Sequence, residues 1–243
     1  MTPRPSGRQH NEMRQISVEP HVNAFAEGSC IINVGRTKVH CTASIQHGVP
    51  RWMKAQNKKG GWITAEYGML PRSTHDRMDR GATKGKQSGR TLEISRLIGR
   101  ALRSVVNMEK MGARTFWLDC DVIQADGGTR TAAITGAYIA LRMALDSLVE
   151  QGKLAENPMT DYLAAISCGV TESGAVLDLD YDEDCNAIAD GNFVMTGSSG
   201  VVEVQTTAEG GTISIAEMNQ MTKLAEKGIK DLIGMQKSVM QAL

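Results

Sequence analysis

The pattern that most restricts the fold is a strand, turn, strand unit joined to helices, and the chain carries it twice. In the first half, "SCIINVGRTKVHCTASI" flanks a turn at Gly35-Arg36 with β-branched residues and predicts a hairpin. A helix is expected from about Leu92 to Val106, with Leu97, Ile98, Ala101, Leu102 and Val105 on one face and Arg96, Arg100 and Arg103 on the other. The strand "RTFWLDCDVI" follows, and then a helix from Ala132 on, in which Ile134, Ala137, Tyr138, Leu141, Ala144, Leu145, Leu148 and Val149 recur at helical spacing. In the second half, "LAAISCGVTESGAVLDLDY" reads as strand, Ser-Gly turn, strand. "NFVMTGSSGVVEVQTT" is another hairpin, and Ile215 to about Met240 closes the chain as a helix. Sheets that bear helices predict an α+β fold over 1–243, one domain of two similar halves at about 1–150 and 151–243.

Charge is unevenly placed along a chain whose formal net charge is +0. Between Arg51 and Arg90, where hydrophobic periodicity fades, ten Lys or Arg face three acids, a local net of +7. Between Thr171 and Asp190 there are seven acids and no Lys or Arg. Such a run is often a solvated loop. Here Asp178 and Asp180 alternate with Leu177 and Leu179, which places both acids on one face of a strand, with Asp182 and Asp184 just past its end. Clustered carboxylates attract a hard divalent cation or raise one another's pKa until one holds a proton.

The stretch "QADGGTRTAAITGAYIA" sets two glycines, a threonine and an arginine against a helix start. Two readings fit. Thr129 or Thr131 can serve as N-cap of a helix that binds nothing. Alternatively, free amides, glycines that allow close approach and an arginine fork make an anion site. The absence of G-x-x-x-x-G-K-[ST] excludes a P-loop, and that of G-x-G-x-x-G after a strand excludes a dinucleotide fold. Five cysteines without C-x-x-C spacing argue against a disulfide framework or zinc ribbon and for a reducing cytoplasm. The N-terminus has arginines but no apolar core of a signal sequence, and no later run is expected to approach a membrane span. The five histidines lack ligand spacing, and the tryptophans read as core, with Trp62 beside Gly60-Gly61 left open.

Four long blocks carry a resemblance: "GVPRWMKAQNKKGGWITAEYGMLPRSTHDRMDR", "KGKQSGRTLEISRLIGRALR", "LDCDVIQADGGTRTAAITGAYIAL" and "LDLDYDEDCNAIADGNFVMT". Together they resemble the ribonuclease PH family of phosphorolytic 3′-to-5′ exoribonucleases over effectively the whole chain. One tract departs from the family pattern, "KAQNKKGGW", with more lysine before the Gly-Trp than expected. The resemblance implies a duplicated βαβ core and a homohexamer built as a trimer of dimers. Inorganic phosphate is the implied co-substrate, and tRNA precursors and other RNA 3′ ends are the implied partners. It places phosphate on Arg90 of "SGR" and on Gly128, Thr129 and Arg130 of "GGTR". It places the catalytic acids, which would also hold a divalent metal (Mg²⁺ or Mn²⁺), at Asp178 and Asp184. The RNA path would run over Arg72, Arg77 and Arg80.

The expected reaction is attack of bound phosphate on the last phosphodiester, which releases a nucleoside diphosphate. A protonated Asp184 and a metal-bound water both stay open as the proton source for the leaving 3′ oxygen. A hydrolytic nuclease would need the acids but not the phosphate cradle. A non-catalytic ring subunit would keep the basic loops and lose the acids or the arginines.

Overall fold

In the computed structural model, which describes residues 4–208 and 211–243, the chain runs β1 (Ile16–Pro20), β2 (Gly28–Val34), β3 (Thr37–His47), α1 (Arg51–Ala55), β4 (Trp62–Met69), α2 (Gly89–Arg103), β5 (Arg114–Gln124) and α3 (Thr129–Glu150). It continues through β6 (Leu163–Thr171), β7 (Gly174–Leu177), α4 (Tyr181–Cys185), β8 (Ala189–Thr196), β9 (Val201–Ala208) and α5 (Ile215–Gln241). Two sheets form, in the orders β1-β2-β3-β5-β4 and β7-β6-β8-β9. The first is mixed, because β4 pairs parallel to β5 and the two are joined through α2 as a βαβ unit. The second is antiparallel throughout its described strands.

The expected hairpin turn at Gly35-Arg36 is present, and Gly35 sits at φ 56, where a side chain would be strained. Strand β4 is the element that the fading periodicity concealed. Its buried positions are Ile63, Ala65 and Tyr67, in strict alternation with Thr64, Glu66 and Gly68. Small and polar residues on both faces weaken the period-2 signal, and the pairing with β5 supplies what the local pattern lacks.

Helix α3 lies between the two sheets. It is the one described helix long and apolar enough to cross a bilayer, with mean hydropathy 1.4, contrary to the expectation that no run approaches that length. Its apolar residues face protein on all sides, as they must in a core helix of this composition. On one side, Gly136 O accepts from Cys30 Sγ, and Ala133 O accepts from Cys41 Sγ and Cys120 Sγ. On the other, Thr135 Oγ1 accepts from Ala165 N at 3.1 Å. Close approach needs small residues: a Cβ on Gly28 would stand 2.0 Å from Ala140 O, and one on Gly136 would stand 2.7 Å from Cys41 Sγ. Helix α5 covers the second sheet with Met221, Ala225, Ile229, Leu232 and Ile233. Gln236 Nε2 donates from α5 to Thr135 O and Leu163 O, so α5 is tied to α3 and β6 together.

Candidate active site

The start of α3 is where the sheets open. The turn Asp126-Gly127-Gly128 leads from β5 into the helix, and both glycines take left-handed φ, 73 and 64. Gly128, not Thr129 or Thr131, is the N-cap, and no side chain caps the helix. A left-handed cap without a side-chain acceptor leaves the first amides of α3 open to a ligand. Thr131 Oγ1 instead donates back to Gly128 O at 2.9 Å. The turn is fastened from below. Thr37 Oγ1 donates to Gly127 O at 2.7 Å and accepts from Asp126 N at 2.9 Å, and Arg36 clasps the Asp126 carboxylate at 3.0 and 3.1 Å.

A cavity of about 650 Å³ opens over this turn, and Arg90, Gly128, Thr129 and Arg130 all line it. Arg90 comes from the first turn of α2, which Ser88 caps by accepting from Thr91 N. Arg130 Nη1 donates to Gln205 Oε1 at 2.7 Å and lies 3.6 Å from Glu93. Thr129 is buried, and its hydroxyl shares a 2.8 Å hydrogen bond with the Tyr67 hydroxyl of β4. Burial pushes the Tyr67 phenol up, and Thr129, Arg90 and Arg130 offset only part of that, so Tyr67 stays a neutral hydroxyl at neutral pH.

The acidic side differs from expectation. Strand β7 ends at Leu177, and Asp178 takes φ 55, so Asp178 and Asp180 do not share a strand face. Asp180 is instead the N-cap of α4 and forms a capping box with Glu183. Asp178 is 1% exposed, and its carboxylate receives Arg14 N, Nε and Nη2 at 2.8, 2.9 and 2.6 Å and Arg8 Nη1 at 3.2 Å. Both its oxygens are engaged by arginine, and Asp178, expected to act as a catalytic and metal-holding acid, is not among the residues that line the cavity. Its charge holds the N-terminal segment down.

Asp184 does line the cavity, from α4, and Asp190 joins it from the start of β8. Asp190 stood in the acid run without a role, since the five intervening residues hide a helix end and a strand start that bring it to the same cavity as Asp184. Glu183, next to Asp184, points the opposite way. Burial pushes its carboxyl up, but the Arg4 fork at 2.6 and 2.7 Å, the Asp180 amide and Arg8 outweigh burial and hold it below the ordinary range. Among the described residues no group of three His, Cys, Asp or Glu gathers tightly enough to hold a metal alone. Asp184 and Asp190 on one cavity are the number of carboxylates that a hard divalent cation takes from protein when water and ligand oxygens complete its shell.

The two walls touch. A Cβ on Gly127 would stand 2.6 Å from Leu179 O and 2.7 Å from the Asp180 carbonyl carbon. Gly127→Ala, at a left-handed φ and against backbone, is therefore expected to cost more than about 1 kcal/mol, read as a lowered midpoint in denaturant unfolding.

The loop arginines are exposed. Arg77 pairs with Asp79 at 3.3 Å and lines a second cavity of about 980 Å³ that shares Arg90 with the first, and Arg72 Nη1 donates to His75 O. Arg72 and Arg80 line neither cavity. His75 and Tyr181, assigned no role from sequence, meet at the rim with ring centroids 5.4 Å apart. Trp62 packs edge-on to Trp52 and under the Arg103 guanidinium.

The model of the 3′ exoribonuclease family, domain 1, matches residues 12–145, and that of domain 2 matches residues 161–228. The ribonuclease PH of Rhodospirillum rubrum is 55% identical over 240 residues, 99% of this chain and 99% of that one. Among solved structures, rice (Oryza sativa) Rrp46 superposes with a TM-score of 0.78 at 18% identity, covering 97% of this chain and 99% of that chain. The Archaeoglobus fulgidus exosome with RNA bound to the active site gives 0.80 at 19% identity, over 96% of this chain and 92% of that chain. At those identities the two structures bear on the fold alone.

Proposed function

We infer the mechanism from one premise: this chain belongs to the 3′ exoribonuclease family, in its ribonuclease PH branch. It is a phosphorolytic enzyme that shortens tRNA from the 3′ end with inorganic phosphate as co-substrate. The observation that carries the site assignment is the placement of Arg90, Arg130 and the open α3 amides on one cavity with Asp184 and Asp190.

Phosphate seats on the Gly128 to Arg130 amides and between the two guanidiniums. No strong base is needed, because a phosphate with a second pKa near 6 is already largely dianionic at neutral pH. A phosphate oxygen attacks the phosphorus of the terminal phosphodiester, the bond to the penultimate 3′ oxygen breaks, and a nucleoside diphosphate departs. The barrier is repulsion between two anions. The arginine forks offset it, with Arg130 already oriented by Gln205 and Glu93. Asp184 and Asp190 would hold a divalent cation, which would supply further charge neutralisation when bound. The leaving 3′ oxygen collects its proton on that acidic side, from Asp184 where Asp184 carries a proton, or from a water where Asp184 is an ionised ligand.

Labelled RNA incubated with enzyme and Mg²⁺ tests this directly. Nucleoside diphosphates should appear only when phosphate is present, and release of monophosphates without phosphate would overturn the reading.

The assembly proposed is a homohexamer, a trimer of dimers, in which six copies of the basic segment from Arg51 to Arg90 surround one opening. Outward-facing Phe25 (99% exposed) and half-exposed Trp117 supply apolar contact area for such packing. Four buried free thiols, Cys30, Cys41, Cys120 and Cys168, suit the reducing cytoplasm we propose as its location. Arg77→Ala with Arg80→Ala is expected to weaken precursor tRNA binding and to flatten its salt dependence by about two phosphate contacts. Phosphate KM should stay near wild type. Size measurement belongs beside the binding assay: a ring that binds tRNA with the wild-type salt slope would remove these arginines from the RNA path.

A further inference from the structure

Arg14 touches both walls of the cleft. Its backbone amide, Nε and Nη2 all donate to the Asp178 carboxylate, at the head of the segment that carries α4 and Asp184. Its Nη1 donates to Asp126 O, in the turn that presents the phosphate-binding amides. A Cβ on Gly128 would stand 3.2 Å from Arg14 Nη2, so the guanidinium lies directly behind that turn. The side chain is only 8% exposed and does not line the cavity, so it reaches no substrate. Arg4, by contrast, binds the acidic side alone, through Glu183 and Asp178 O, besides its own segment's carbonyls.

A planar fork suits this task. One face of the guanidinium is saturated by a carboxylate while the remaining nitrogen reaches a carbonyl on a different element, and a lysine ammonium cannot hold both in one fixed geometry. We propose that Arg14, locked on Asp178, is a positioning residue that sets the distance between the phosphate turn and the acidic wall, so that both phosphate binding and turnover depend on a side chain that contacts neither substrate. The inference rests on the phosphate reading of the Gly128 to Arg130 site.

Kinetics of Arg14→Lys and Arg4→Lys in the full-length protein separate this from a role in stability. Arg14→Lys should raise KM for phosphate and lower kcat together, each by about ten- to a hundredfold, the scale set by small misplacements of reacting groups. Arg4→Lys should lower kcat and leave phosphate KM within about twofold, because Arg4 does not touch the turn. If Arg14→Lys loses folded protein while the folded fraction keeps wild-type KM and kcat, Arg14 is structural and the proposal fails.

Hydrogen exchange of the wild-type protein, with and without inorganic phosphate, decides the matter even if Arg14→Lys does not fold. Phosphate should slow exchange at 126–131 and also at 8–16, which lies outside the cavity. Protection at 126–131 alone refutes the positioning role and leaves the phosphate reading intact. Protection at neither refutes the phosphate reading and the inference with it.

Discussion

Asp184→Asn is expected to leave a folded protein that binds RNA and phosphate but turns over about a hundred- to a thousandfold more slowly, the loss typical when one preorganised electrostatic group is removed from a transition state. Asp184 is exposed on α4, so the change leaves the core intact. Its neighbour Glu183 faces inward to Arg4, which keeps α4 in place whatever stands at 184. Asp190→Asn should behave alike, since both carboxylates line one cavity and the proposed mechanism gives them one task. Asp178→Asn is the contrast. Removing one partner of a buried ion pair costs about 3 to 5 kcal/mol, so it alone of the three should lower the unfolding midpoint, with phosphate KM and kcat also affected because Arg14 loses its anchor. Single-turnover rates and melting curves on the three variants sort them. A well-folded Asp184→Asn with the wild-type rate would exclude Asp184 from the chemistry.

The second large effect falls on phosphate. Arg90→Ala and Arg130→Ala should each raise KM for phosphate by about ten- to a hundredfold, because a charge-assisted hydrogen bond contributes roughly 1.5 to 3 kcal/mol. The double variant should exceed either single one without matching their product, since both guanidiniums address one anion and so couple. Arg130→Ala also releases Gln205 and Glu93, both near the surface, so stability should change little. Precursor tRNA affinity should hold in all three. Unchanged phosphate dependence in both single variants would move the phosphate site elsewhere.

Local chemistry made much of this legible from residues alone. The glycine pair before α3, the β-branched flanks of Gly35-Arg36 and the alternation of Phe116, Leu118, Cys120 and Val122 each act within a few residues, so the chain announces them wherever they are placed. The helix that ends the chain was bounded to within a residue or so, because Ser214 and Glu217 form a capping box and the apolar face keeps its period. Arg90, Gly128, Thr129 and Arg130 were reachable through family resemblance, and the fold brings all four to one cavity.

What local pattern misread was decided at a distance. Leu177-Asp178-Leu179-Asp180 has the alternation of a strand, but three N-terminal arginines compete for those carboxylates and their backbone, and Asp178 turns left-handed beneath them. The partners are more than 160 residues away in sequence, so no window along the chain contains both. Asp190 was hidden for the converse reason: its place on the same cavity as Asp184 depends on how α4 leads into the start of β8. Residue types and their periods, which act through nearest neighbours, therefore determined most of the elements and the glycine turn before α3. Which carboxylates line the cavity and which are spent holding the N-terminal segment was decided only when the second sheet packed across α3, because an ion pair exists only between charges that the fold brings within reach.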